Sequence, residues 1–181
     1  MYISKRLKEQ SISEYLLYMW QVEDLIRANG CNVDNLERTV VAAYNLPEEQ
    51  RAELTEWYAN LVEMMHLEGV EQGGHLQINK NVIIQLTDLH FRLMHSQKFP
   101  FYHAAYYKAL PFIVELRAKG GQGKTELENC FEALYGVWML RVSRKEVGKE
   151  TVVAVADIVK FVGLLSDYYN KEKLGELDLD E

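Results

Sequence analysis

Histidines and phenols crowd residues 95–111, HSQKFPFYHAAYYKALP. On a helix His103, Tyr107 and Leu110 share one face, with Tyr106 at its edge. Pro111 has no N–H to offer the Tyr107 carbonyl. A bent helix carrying a free carbonyl, an imidazole and phenol hydroxyls suits the lining of a small polar pocket in an apolar bundle. His90, on the apolar side of the preceding helix, points toward the same interior. The candidate ligand pocket is therefore His90, His103, Tyr106 and Tyr107. The same residues also fit aromatic core packing with hydroxyls on backbone acceptors, the commoner use of such a pattern.

Other spacings hint at other chemistry and fit it less well. Glu63-Met-Met-His66 is a Glu-x-x-His unit, used twice over in di-metal carboxylate bundles, but it stands alone here. At 100° per residue Glu63 lies opposite the Leu54, Leu61 and Met65 stripe, and His66 falls outside it, so both are expected to face water. His90 and His95 are spaced i, i+5 and diverge by about 140°, a poor chelating geometry. No metal site is expected. Residues 118–125, AKGGQGKT, fit a relaxed phosphate loop with Lys124 on terminal phosphates and Thr125 on a magnesium ion. That motif requires a preceding strand and a parallel sheet, which long helical stripes elsewhere leave no room for. The alternative is a helix–helix linker in which Thr125 caps a helix and Glu128 completes a capping box. No cofactor and no catalytic residue is expected, since no nucleophile has an adjacent base or an activating setting.

Two charges fall within apolar arcs. Glu23 lies between the directions of Ile12, Leu16 and Met19, and Arg141 between those of Leu134 and Val137. Unpaired burial would cost several kcal/mol, so each must find a partner or reach water. Snorkelling outward from the helix edge is the favoured expectation, mutual pairing the alternative. Cys31 and Cys130 form no CxxC pair and read as small core residues of a reducing compartment.

Helices must position all of these groups. Ile12, Tyr15, Met19, Val22 and Ile26 make one stripe behind a Ser11/Glu14 capping box, stopped at Asn29-Gly30. A short helix is expected over 34–44, and a third opens at Pro47 and ends near Gly69. Helices over about 79–97 and 150–170 are apolar nearly all round, which places them centrally. One opening at Pro100 is expected to be interrupted at Pro111, and one runs from Thr125 to about Ser143. The fold expected is all-α: a single-domain bundle of about seven mostly antiparallel helices over 1–172, with a flexible acidic tail over 173–181.

Residues 11–29, SISEYLLYMWQVEDLIRAN, resemble the opening of an uncharacterised bacterial family whose members have about this length. The likeness extends over the whole chain. It implies a compact, cytoplasmic, all-helical protein, and it carries over no catalytic residue.

The totals narrow the partners. The chain has 181 residues and a formal net charge of −7, which disfavours nucleic acid. No apolar run reaches the length of a membrane span, and no secretory leader is visible, so a cytoplasmic location is expected. The reading that follows is a non-enzymatic binding or protein-interaction module, with a protein partner or self-association as its mode. The alternative is an enzyme or sensor built on the four-residue pocket above.

Overall fold

The computed structural model describes residues 2–120 and 123–179, and among these every regular element is helical. The α-helices are α1 (Tyr2–Gln10), α2 (Ile12–Ala28), α3 (Val33–Thr39), α4 (Glu48–Leu67), α5 (Gln77–His95), α6 (Pro100–Gly120), α7 (Glu126–Val142) and α8 (Lys149–Lys173). A 3-10 turn, Val41–Tyr44, follows α3. The sequence did not announce α1, whose apolar residues are sparse. It also merged α3 with the 3-10 turn. Asn32, not Asp34, caps α3, its side chain accepting from the Asn35 N–H.

The chain folds as two compact units, residues 1–9 with 14–82 and residues 10–13 with 83–181. In the first, Leu16, Met19, Trp20 and Ile26 of α2 are buried, as are Leu36 of α3 and Tyr58, Leu61 and Met65 of α4. Arg51 of α4 pairs with Glu37 of α3 at 2.7 Å. Gly69 stops α4 at φ +66°, a left-handed conformation that glycine reaches without strain.

In the second unit α6, α7 and α8 pack against one another. The buried face of α6 is Tyr102, Ala105, Ala109 and Ile113, a spacing of three or four residues. Pro111 lies inside α6 without ending it, against the expected interruption. Pro111 and Tyr107 are both on the exposed side of α6, where water can reach the carbonyl that proline leaves free. Ser13 of α2 is tied to α8: its hydroxyl donates to the Val162 carbonyl and its N–H to the Ser166 hydroxyl, each at 3.3 Å. The helices expected at the centre are apolar on their outer faces too. Ile84 and Phe91 of α5 are 60% and 56% exposed, and Val153 and Val159 of α8 are 57% and 53% exposed.

Candidate functional site

The four residues of the expected pocket separate. His90 is buried, and its Nδ1 is hydrogen-bonded to the Tyr102 hydroxyl at 2.6 Å. Its ring lies 4.8 Å from that of Tyr106 and 5.5 Å from that of Phe161. Tyr106 donates to Glu126 at 2.9 Å. His103 turns away, donating from Nε2 to the Leu93 carbonyl at 2.9 Å. That carbonyl is one of the last of α5, so His103 acts as a cap on a helix end. Tyr107 is 60% exposed. The true partner of His90, Tyr102, sits one position before the histidine that the helical wheel favoured. Rings fill the space among His90, Tyr102, Tyr106 and Phe161. Burial pushes the His90 imidazole below its ordinary value, against a smaller opposing pull from Glu126. Burial also raises the Tyr102 and Tyr106 phenols, Tyr106 with help from its bond to Glu126.

The most concentrated polar site lies elsewhere, on Glu23. Its side chain is 0% exposed, contrary to the expected outward snorkelling, while Arg141 is exposed. His75 donates from Nδ1 to one Glu23 oxygen at 2.6 Å. The Leu76 N–H and the Asn79 amide donate to the other at 2.9 and 2.7 Å. Leu76 immediately precedes α5 and Asn79 lies in its first turn, where the helix dipole and free N–H groups favour a carboxylate. Glu68 takes the next amide, that of Gln77, at 2.6 Å. The His75 ring stacks on Trp20 with centroids 4.0 Å apart. Arg27 holds the loop before it, donating to the Val70 carbonyl from Nε at 3.2 Å and Nη2 at 3.0 Å. Three donors and a helix N-terminus thus take the place of water around the buried Glu23 side chain. The arrangement fixes the His75 tautomer, as a carboxylate does for a general base, but the bonded partners include no hydroxyl or thiol to activate. Half of this site was visible in sequence: a glutamate on an apolar face. The other half needed tertiary contact with a loop histidine.

The remaining candidates are placed plainly. Glu63 and His66 are exposed as expected, and His66 pairs with Glu71. Among the described residues no group of three or more histidine, cysteine or acidic side chains is placed to hold a metal. Both cysteines are buried, and burial pushes the Cys130 thiol up to about 12. In the glycine-rich segment, Gly121 and Gln122 lie outside the described residues. Its end is a helix cap: Glu128 N–H donates to the Thr125 hydroxyl at 3.2 Å and Thr125 N–H to the Glu128 carboxylate at 2.6 Å. Thr125→Ala is expected to cost about 0.5–2 kcal/mol. Lys124→Ala removes only an exposed pair with Glu132 and should stay within about 0.5 kcal/mol. Urea melts of the two variants check both.

Two grooves open on the second unit. One, of about 960 Å³, has a floor of Ala133, Gly136 and Val137 from α7, with Phe112 and Leu116 of α6 and Ala154 and Ile158 of α8. Its rim carries Glu115, Lys119, Lys149 and Glu150. The other, of about 700 Å³, lies where the end of α5 meets the C-terminal residues.

The family described as Domain of unknown function (DUF4924) matches residues 1–176. The chain belongs to that family. No curated protein and no solved structure matches it. The all-helical architecture that the opening segment implied is therefore the architecture of a member of this family. No helix among the described residues is long and apolar enough to cross a membrane.

Proposed function

We propose that this family member is a non-enzymatic interaction module that associates with a second copy of itself through the α6–α7–α8 groove. The observation that carries this reading is an apolar groove whose lips are themselves exposed: Leu140 is 37% and Val153 57% exposed. Met139 and Val142 continue the apolar surface at the end of α7, at 40% and 60% exposed. Aliphatic surface gathered in this way is the usual mark of a protein contact.

The rim argues for a second copy. The chain as a whole carries −7, so two copies repel. The groove rim carries two acids and two bases and is balanced. In a twofold contact each rim meets its own image, so acids find bases without any net charge on the interface. Gly136 supports the same reading. A Cβ placed there meets nothing within 4 Å, so packing within the chain does not require glycine. Mid-helix glycine costs about 1 kcal/mol relative to alanine, and here it keeps the groove floor low.

Sedimentation equilibrium tests the proposal. The wild-type chain should show the mass of a dimer at micromolar concentration. Leu140→Glu/Val153→Glu should be a monomer with an unchanged far-UV circular dichroism spectrum. Gly136→Ala should raise monomer stability by about 0.5–1 kcal/mol, while Gly136→Leu should fill the floor and weaken association. A wild-type monomer at every concentration, or a dimer indifferent to Leu140→Glu/Val153→Glu, overturns it.

A further inference from the structure

The second groove already holds part of its own chain. Leu177 and Leu179 line it beside Phe91, Arg92 and His95. Residues 176–179 have no regular secondary structure and alternate: Leu177 and Leu179 are half-buried, Glu176 and Asp178 exposed. That is the period of an extended segment with one side inward. Its charges are matched. Lys98 pairs with Asp178 at 2.9 Å, and Arg92 pairs with Glu172 at the end of α8 and with Asp88. In a chain of net charge −7, Arg92 and His95 line this groove beside Glu172 and Asp178, and Lys98 reaches it through its pair with Asp178.

The strap is weakly held. The ion pair of Asp178 with Lys98 is exposed at both ends, with Asp178 86% exposed, and such pairs contribute little. Phe91 remains 56% exposed with the strap in place, and about 700 Å³ of groove stays open beside it. The groove thus has more recognition surface than the strap uses.

We propose that this groove is a recognition site for an extended acidic, leucine-bearing segment of another protein, and that residues 174–179 are its internal competitor. The occupant's chemistry is read from the strap itself: leucine side chains lining the groove with Phe91, and a carboxylate, that of Asp178, paired with Lys98. A tethered competitor acts at an effective concentration near the millimolar range, so an incoming segment must outbind it. Release of the strap raises the apparent affinity by the reciprocal of the open fraction. This site is separate from the α6–α7–α8 groove and does not depend on self-association.

The test uses the full-length chain and a fluorescein-labelled peptide with the sequence of residues 174–181, LGELDLDE, followed by anisotropy. Leu177→Ser/Leu179→Ser should free the groove and bind the peptide at least about tenfold more tightly than wild type. Adding Lys98→Glu should lower that affinity about tenfold and flatten its dependence on salt. A peptide with serine at the positions of Leu177 and Leu179 should not bind. Asp178→Lys offers a second release by charge alone, at an exposed position where the fold is not at stake. If either released variant, with wild-type helix content, binds no more tightly than wild type, the proposal fails. It also fails if Lys98→Glu leaves binding unchanged, or if the serine peptide binds as well.

Discussion

Glu23→Ala is expected to destabilise the chain by about 3–5 kcal/mol, the cost of breaking a buried charged network from one side. The substitution removes one carboxylate and strands three donors: His75 Nδ1, the Leu76 N–H and the Asn79 amide. Asn79 is already under-satisfied, since its buried carbonyl oxygen has no hydrogen-bond partner. The start of α5 loses the negative charge at its N-terminus as well. Glu23→Gln keeps the shape and one acceptor and should cost less, about 1–3 kcal/mol. His75→Ala removes one donor while leaving two on the carboxylate, so it should fall between the two glutamate variants. Because these groups act as one network, Glu23→Ala/Asn79→Ala should cost clearly less than the sum of the singles. Urea unfolding of the set checks this. A cost below about 1 kcal/mol for Glu23→Ala would show that water replaces the network in solution.

What the sequence made legible here was helical periodicity, and what it hid was which face meets which. The stripe Ile12, Tyr15, Met19, Val22 and Ile26 is buried as read, and Thr125 with Glu128 forms the capping box as read. Both depend on residues within a few positions of one another. Failure came where a helix is apolar all round. On α6 the wheel through His103 and Tyr107 and the wheel through Tyr102, Ala105 and Ala109 are equally apolar, and only packing chooses the second. The same ambiguity placed α5 and α8 too centrally. Glu23 shows a different limit. Its position on the apolar face was visible, but its partners stand 52 to 56 residues along the chain, in a loop and a helix start. No local pattern joins them. A rule that pairs a carboxylate on an apolar face with histidines flanking a helix N-terminus would have suggested His75.

His90 carries the second large effect, and its sign follows from burial. The folded chain holds His90 below its ordinary value, while the unfolded chain leaves it near 6.5. Between the two values the unfolded state binds more protons, so protons favour unfolding. The stability that neutral His90 contributes is complete above about pH 6.5 and is lost as pH falls toward the folded value, with a slope of at most about 1.4 kcal/mol per pH unit. Protonation would place a cation among Tyr102, Tyr106 and Phe161. Nearby Glu126 offsets part of that cost through its attraction for the proton. His90→Ala should cost about 3 kcal/mol at pH 7.5, through the cavity it leaves and the loss of the bond to the Tyr102 hydroxyl. His90→Gln retains a polar partner for Tyr102 and removes the titration, so it isolates the pH term. Urea midpoints of wild type and His90→Gln at pH 7.5 and 5.5 make the comparison, because the remaining histidines are common to both chains. Wild type should lose more stability on acidification than His90→Gln. Parallel losses would mean that the imidazole accepts its proton as readily in the folded core as in water.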